Sequence, residues 1–211
     1  MRYTITPSLL NSWLYMYSDF EKYIFDTSEK TAEDYRQAAY DDFLNTLQRV
    51  PIPTNEAMQK GIDFENLIEA ICEGHSPTEH KWFDAANEIA NDVIGAQFQI
   101  TAKKNIEVAG WPIQLKGRLD SLKAGAVGDF KFSSRYEVGK FYGSPQHPIY
   151  MELIPVATIF IYYISNGSRV WRETYARAEC RSADEVIQPF LDYLQHAGLV
   201  SLYKEKWIVN D

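Results

Sequence analysis

Apolar residues recur along this chain first with the spacing of helices and then with that of strands. The opening T-P-S-L-L-N-S-W-L-Y-M-Y predicts a helix capped near Thr6, with Pro7 at its first position. Residues 32 to 48 predict a second helix with charges on one side, ended by Pro51 and Pro53. A third runs from about 54 to 73. Projected at about 100° per residue, Ala57, Phe64, Ile68 and Ile71 form an apolar arc that Met58, Gly61, Ile62 and Cys72 extend. Glu65 falls inside that arc, whereas Glu69, one turn on, lies nearer its polar boundary. A fourth helix is predicted over residues 80 to 94.

From Gln97 the period shortens to two. F-Q-I-T-A-K-K-N-I-E-V predicts a strand, followed by a turn at Ala109 to Pro112. In I-Q-L-K-G-R-L-D, alternation places Ile113, Leu115, Gly117 and Leu119 on one face and Gln114, Lys116, Arg118 and Asp120 on the other. A turn at Lys123 to Gly125 returns the chain as A-V-G-D-F-K-F, with Val127, Asp129 and Lys131 opposite Phe130 and Phe132. Beyond a polar S-S-R-Y turn, S-P-Q-H-P-I-Y-M-E-L-I-P predicts a short helix, on which Gln146 and Tyr150 share a face. V-A-T-I-F-I-Y-Y-I and R-V-W-R-E-T-Y then predict a hairpin about Asn166-Gly167, and a helix over 182 to 197 closes the pattern. Such an order predicts an α/β chain with a mixed sheet covered by the early helices.

Composition narrows the function. A chain of 211 residues with 45% hydrophobic content can form a real core, and without linker, repeat or low-complexity tract it is expected to be one domain, residues 1 to 211. The longest apolar-rich run, residues 153 to 164, is shorter than the ~20 residues a membrane span needs. No signal-peptide pattern opens the chain, so no membrane partner and a cytoplasmic location are expected. Two cysteines, Cys72 and Cys180, are too few for a four-cysteine cluster. The four histidines show no metal-ligand spacing, and surface or capping roles are expected for each. A net charge of −8 weighs against nucleic acid as a partner without excluding it, because acidic metal ligands add negative charge and basic residues can cluster locally.

Candidate chemistry begins with the carboxylates. If the strands around Lys123 to Gly125 pair antiparallel, Asp120 and Asp129 become neighbours, with Lys131 roughly 7 Å along at ~3.3 Å per residue. Two adjacent acids repel unless a cation lies between them, which points to Mg²⁺ or Mn²⁺. A solvated hairpin face of mixed charge fits the same pattern. An inward-facing Glu65 is costly unless it is paired or bound to a metal, and a buried pair with Arg118 or Lys131 is its alternative.

Together, Glu65 in G-I-D-F-E, Asp120 in G-R-L-D, Asp129 and Lys131 in D-F-K, and Gln146 and Tyr150 in Q-H-P-I-Y resemble, in order and spacing, the motifs of the PD-(D/E)XK nuclease superfamily, in its RecB-type and lambda-exonuclease-like branch. The opening S-L-L-N-S-W is similar to the start of RecB-type nuclease domains, and the resemblance spans most of residues 5 to 165. It implies a restriction-endonuclease-like mixed sheet flanked by helices, with an N-terminal helical portion. It also implies metal-dependent hydrolysis of DNA, most naturally by an exonuclease in recombination or repair. Glu65, Asp120, Asp129 and the Phe130 backbone carbonyl would hold Mg²⁺ or Mn²⁺; Lys131 would position water or stabilise phosphate charge; Gln146 would orient water or a ligand; Tyr150 would contact the DNA backbone or stack near the scissile nucleotide. Lys116 and Arg118 could contact phosphates or form salt bridges. The pattern departs from the family in lacking a proline before Asp120, in carrying Glu65 where RecB-type domains have histidine, and in lacking the cysteines of iron–sulfur relatives, so no iron–sulfur cluster is expected. A homo-oligomer is compatible with the resemblance, since some relatives form one. The rival reading is a non-catalytic module that keeps a nuclease fold to bind DNA or protein.

Overall fold

The computed structural model describes residues 1–24 and 29–209. Four of its helices begin where short polar side chains take up free backbone N–H groups. Thr6 Oγ1 accepts from Leu9 N–H at 3.2 Å and starts α1 (Pro7–Tyr15). A reciprocal Thr31–Asp34 pair starts α2 (Ala32–Leu47), and Asn55 Oδ1 accepts from Met58 N–H at 2.9 Å to start α3 (Glu56–Cys72). α4 follows at Phe83–Val93. Further along, α5 spans Gln146–Leu153, α6 spans Ala183–His196 behind a Ser182–Glu185 capping box, and α7 spans Val200–Lys206.

The strands are β1 (Tyr3–Ile5), β2 (Gln97–Val108), β3 (Trp111–Lys123), β4 (Ala126–Phe132), β5 (Ile159–Ser165) and β6 (Val170–Ala176). They form one mixed sheet in the order β1-β3-β4-β5-β6, with β2 paired to β3. β1 runs parallel to β3, β3 antiparallel to β4, β4 parallel to β5 and β5 antiparallel to β6. This is the expected α/β architecture: a mixed sheet flanked by helices with an N-terminal helical portion, as in restriction-endonuclease-like folds. β1 and α7 are additions to the predicted elements. Two turns also shift. The β2–β3 turn is Ala109-Gly110, so Trp111 and Pro112 already belong to the strand. The β5–β6 loop has four residues, 166 to 169, held by Asn166 Oδ1, which accepts from Arg169 N–H at 2.9 Å.

The chain divides into two compact units that interleave along the sequence: Met1–Ile52 with Lys103–Lys116 and Arg181–Asp211, and Pro53–Ala102 with Gly117–Cys180. In the first, α1 packs on α2 and α6, and α7 on α2 and α6. Aromatic edges dominate its core: Trp13 meets Phe190 at 5.6 Å, and Phe190 meets Tyr203 at 5.9 Å.

In the second unit both faces of the central strands are covered. Phe130, Tyr163 and Ile161 pack with Phe64, Leu67 and Ile68 of α3 and Ala86 and Ile89 of α4. On the opposite face, Phe160 stacks on Tyr150 of α5, while His147 stacks on Tyr175 at 4.1 Å. That double burial explains why the β5 region is a nearly continuous apolar run. His147, 3% exposed, is therefore a core residue, not the surface or capping histidine expected from spacing alone. No helix among the described residues is long and apolar enough to cross a membrane.

Candidate active site

Burial of Phe64, Leu67 and Ile68 fixes the roll of α3. The buried arc is centred further toward Leu67 than the projection placed it, so Met58 and Ile62, expected on it, are 45% and 43% exposed. Glu65 consequently stands at the flank of the arc, half-buried. It lines a cleft of ≈ 410 Å³ with Asn66, Glu69, Gln99, Arg118 and Asp120. The inward turn of Glu65 is thus partial, and Glu69 shares the same cleft.

Asp120 reaches the cleft because β3 breaks its own alternation. Gly117 and Ser121 are four apart and would share a face on a regular strand. Instead, a Cβ on Gly117 would fall 2.5 Å from Tyr150 Cε1 on the α5 side, whereas Ser121 Oγ and Tyr163, on the α3 and α4 side, crowd the position of a Cβ on Gly128. One slip lies between these residues, so the expected simple face sharing of Gly117 and Leu119 against Arg118 and Asp120 does not continue to Ser121. Regular pairing of β3 with β4 runs through Ser121↔Gly128, Leu122↔Val127 and Lys123↔Ala126. Beyond that stretch the Asp120 side chain replaces a backbone partner: Phe130 N–H donates to Asp120 Oδ2 at 2.8 Å. A strand residue's N–H and C=O leave on the same edge, so the Phe130 carbonyl is also directed toward β3.

Asp129, 4% exposed, is the most enclosed carboxylate of the set. Lys131 Nζ lies 2.7 Å from its Oδ2, and Gln146 Nε2 donates to its Oδ1 at 3.0 Å. Beyond the ion pair, Oδ2 has no hydrogen-bond partner. Gln146 is placed by the first turn of α5, where its own N–H donates to Ser144 Oγ at 3.2 Å. Tyr150 departs from expectation. It is 6% exposed, and its hydroxyl donates to the Arg118 carbonyl at 2.7 Å. A ring stacked on Phe160 is not free to stack on a base, so Tyr150 holds the β3 backbone beside Asp120 in place of the expected contact with DNA.

Crowding of negative charge shows in the titration behaviour. Burial, reinforced by the charges of Asp129 and Glu65, pushes Asp120 up to about 8 against the pull of the Phe130 N–H and Lys131. Burial and then Asp129 also raise Glu65. Burial works against the Lys131 ammonium, but Asp129 foremost, then Asp120 and Glu65, outweigh it and hold Lys131 above its ordinary value.

Among the described residues, no three histidine, cysteine, aspartate or glutamate side chains are gathered tightly enough to form a metal site. The donor chemistry nevertheless fits a hard divalent cation. Three carboxylates and a backbone carbonyl are all oxygen ligands, one buried carboxylate oxygen is met by the Lys131 ammonium alone, and burial with mutual repulsion holds Asp120 and Glu65 above their ordinary values. Sequence reasoning missed Gln99, which joins Glu69 and Arg118. Its distinguishing feature is a left-handed backbone, φ 55° near the start of β2, for which glutamine carries no sequence signal.

No protein-family model matches the chain, and no curated protein matches it. Among solved structures, it is similar to the crystal structure of SSO0001, with a TM-score of 0.54 and 15% sequence identity, over 93% of this chain and 77% of that one. At that identity the likeness shows the fold alone.

Proposed function

We propose that this chain is a metal-dependent deoxyribonuclease that hydrolyses phosphodiester bonds, acting as an exonuclease in DNA recombination or repair. The observation that carries the reading is the meeting of Asp120, Asp129 and Lys131 where β3 and β4 part, with Glu65 facing the same cleft.

Glu65, Asp120, Asp129 and the Phe130 carbonyl would hold Mg²⁺ or Mn²⁺. When bound, such an ion lowers the pKa of its water and offsets charge developing on a phosphate. The protein supplies orientation and charge. Gln146 fixes one oxygen of Asp129, and Phe130 N–H fixes one of Asp120, so neither carboxylate rotates freely. Lys131 is held in its ammonium form, which suits it to stabilise negative charge at Nζ and unsuits it as a base. Tyr150 fixes the β3 backbone through the Arg118 carbonyl.

The test is incubation of the purified protein with end-labelled linear and circular DNA in Mg²⁺, Mn²⁺ or EDTA. Metal-dependent loss of linear DNA alone is expected, with Asp129→Ala and Lys131→Ala each reduced by at least ~10²-fold while their circular dichroism is unchanged. Cutting of circles would replace exonuclease with endonuclease; undiminished cleavage by either variant would overturn the site. The net charge of −8 favours one other reading, a module that binds DNA or protein without cleaving it. Binding with no cleavage in any metal would establish that reading instead.

A further inference from the structure

Gln99 is one of few non-glycine residues with a left-handed backbone, and it sits within β2 and not at a turn. Such a conformation costs stability in a side-chain-bearing residue and persists where the surroundings require it. What Gln99 does there is bridge. Its Nε2 donates to Glu69 Oε1 through a short contact, and its Oε1 accepts from Arg118 Nε at 2.6 Å.

The consequence lies in what Arg118 is prevented from doing. A guanidinium in a cleft with Glu65, Glu69 and Asp120 is drawn toward a carboxylate. Here a neutral amide stands between Arg118 and Glu69, and the Phe130 N–H engages Asp120. The amide passes on orientation without closing an ion pair. Arg118 is exposed, and among the described residues neither of its Nη groups is hydrogen-bonded or ion-paired. A planar fork fixed at Nε and open at both Nη groups matches two oxygens of a phosphodiester.

We infer that Gln99 is a positioning residue that holds Arg118 in the cleft as a clamp for a backbone phosphate of the DNA strand being cleaved. The inference rests on the nuclease reading, and it assigns recognition of the anionic backbone to Arg118, held by Glu69 through Gln99, apart from Glu65, Asp120, Asp129 and Lys131.

The test measures cleavage of an end-labelled duplex in Mg²⁺ over a range of DNA concentrations, together with anisotropy binding of the same duplex in EDTA. Gln99→Gly keeps the left-handed backbone and removes the bridge. Its KM and Kd are expected to rise about tenfold, with kcat within about twofold and thermal stability equal or higher. Arg118→Ala is expected to weaken binding similarly, and the double variant to bind no worse than Arg118→Ala alone. Gln99→Glu, which would close an ion pair with Arg118 at Nε and set two carboxylates together, is expected to weaken binding. Unchanged KM and Kd in Gln99→Gly, fully additive losses in the double variant, or undiminished binding by Gln99→Glu would overturn the inference while leaving the nuclease reading standing. A wild-type protein that neither binds nor cleaves the duplex would overturn both.

Discussion

Asp120 governs how the cleft responds to acid and base. Its carboxyl titrates near pH 8 in the fold against 3.8 unperturbed, so between those values the folded chain retains a proton that the unfolded chain has released. Stability is therefore greatest below about pH 4 for this group and falls as pH rises toward 8, by up to about 1.4 kcal/mol per pH unit for one full proton. The raised Glu65 adds to the same slope. Urea denaturation of chelator-treated protein at pH 5, 6, 7 and 8 is expected to show that decline; Asp120→Asn should flatten it, and Mg²⁺ should restore stability at pH 8. An identical slope in the asparagine variant would remove Asp120 as its source. Much of this group was legible from residue spacing, because a short turn at Ala124-Gly125 brings Asp120 and Asp129 together. Glu65 was legible only in part, since periodicity gave its side of α3 but not the true centre of burial at Leu67. Tyr150 shows the limit of spacing: four residues from Gln146 means a shared face, yet not whether that face meets solvent or, as here, Phe160 and Gly117. Gln99 lay beyond sequence reading altogether, since its role comes from a backbone angle and from partners 30 and 19 residues away.

The elements that carry these residues were legible where local chemistry closes on itself. Thr6-Pro7 and Ser182 with Glu185 announce α1 and α6 because a cap and its partner are three residues apart or fewer. β1 and α7 announce nothing: three residues, Tyr3–Ile5, contain no period, and seven residues, Val200–Lys206, make too short a helix to stand without tertiary support. Likewise, the slip in β3 is set by packing. Gly117 is the position that lets α5 close on the strand, with Tyr150 Cε1 and Leu153 Cδ1 only 2.5 and 2.9 Å from where a Cβ would sit. Neither atom can withdraw easily, because Tyr150 is hydrogen-bonded to the Arg118 carbonyl and Leu153 is buried. Gly117→Ala is therefore expected to lose about 1–3 kcal/mol in urea denaturation and to weaken cleavage by shifting the backbone of Arg118. Wild-type stability in this variant would mean that α5 yields, contrary to the packing described.

At the scale of the whole chain, every residue of the candidate site belongs to the second unit, Pro53–Ala102 with Gly117–Cys180, while the first unit has its own anchors. Trp207 is the chief of these. Its backbone carbonyl accepts from Thr4 N–H at 2.7 Å, its indole Nε1 donates to the Leu47 carbonyl at 2.8 Å, and the Arg49 guanidinium lies 4.2 Å from its ring centre. Tyr203 adds a bond from its hydroxyl to the Thr4 carbonyl at 3.0 Å. One residue thus joins β1 through its backbone and the end of α2 through its indole, at the end of α7, which explains why segments with so little local signal are ordered. Removing the ring opens a cavity at a residue only 7% exposed, so Trp207→Ala is expected to cost about 3–5 kcal/mol. Trp207→Phe fills most of that space but leaves the Leu47 carbonyl without its donor, a loss of about 1–3 kcal/mol. Because Trp207 contributes no group to the cleft, both variants, measured well below their unfolding midpoints, are expected to keep wild-type kcat/KM per folded molecule. A fall in kcat/KM at full folding would show that the first unit takes part in the chemistry, whereas a fall in stability alone places Trp207 in the scaffold and the chemistry in the second unit.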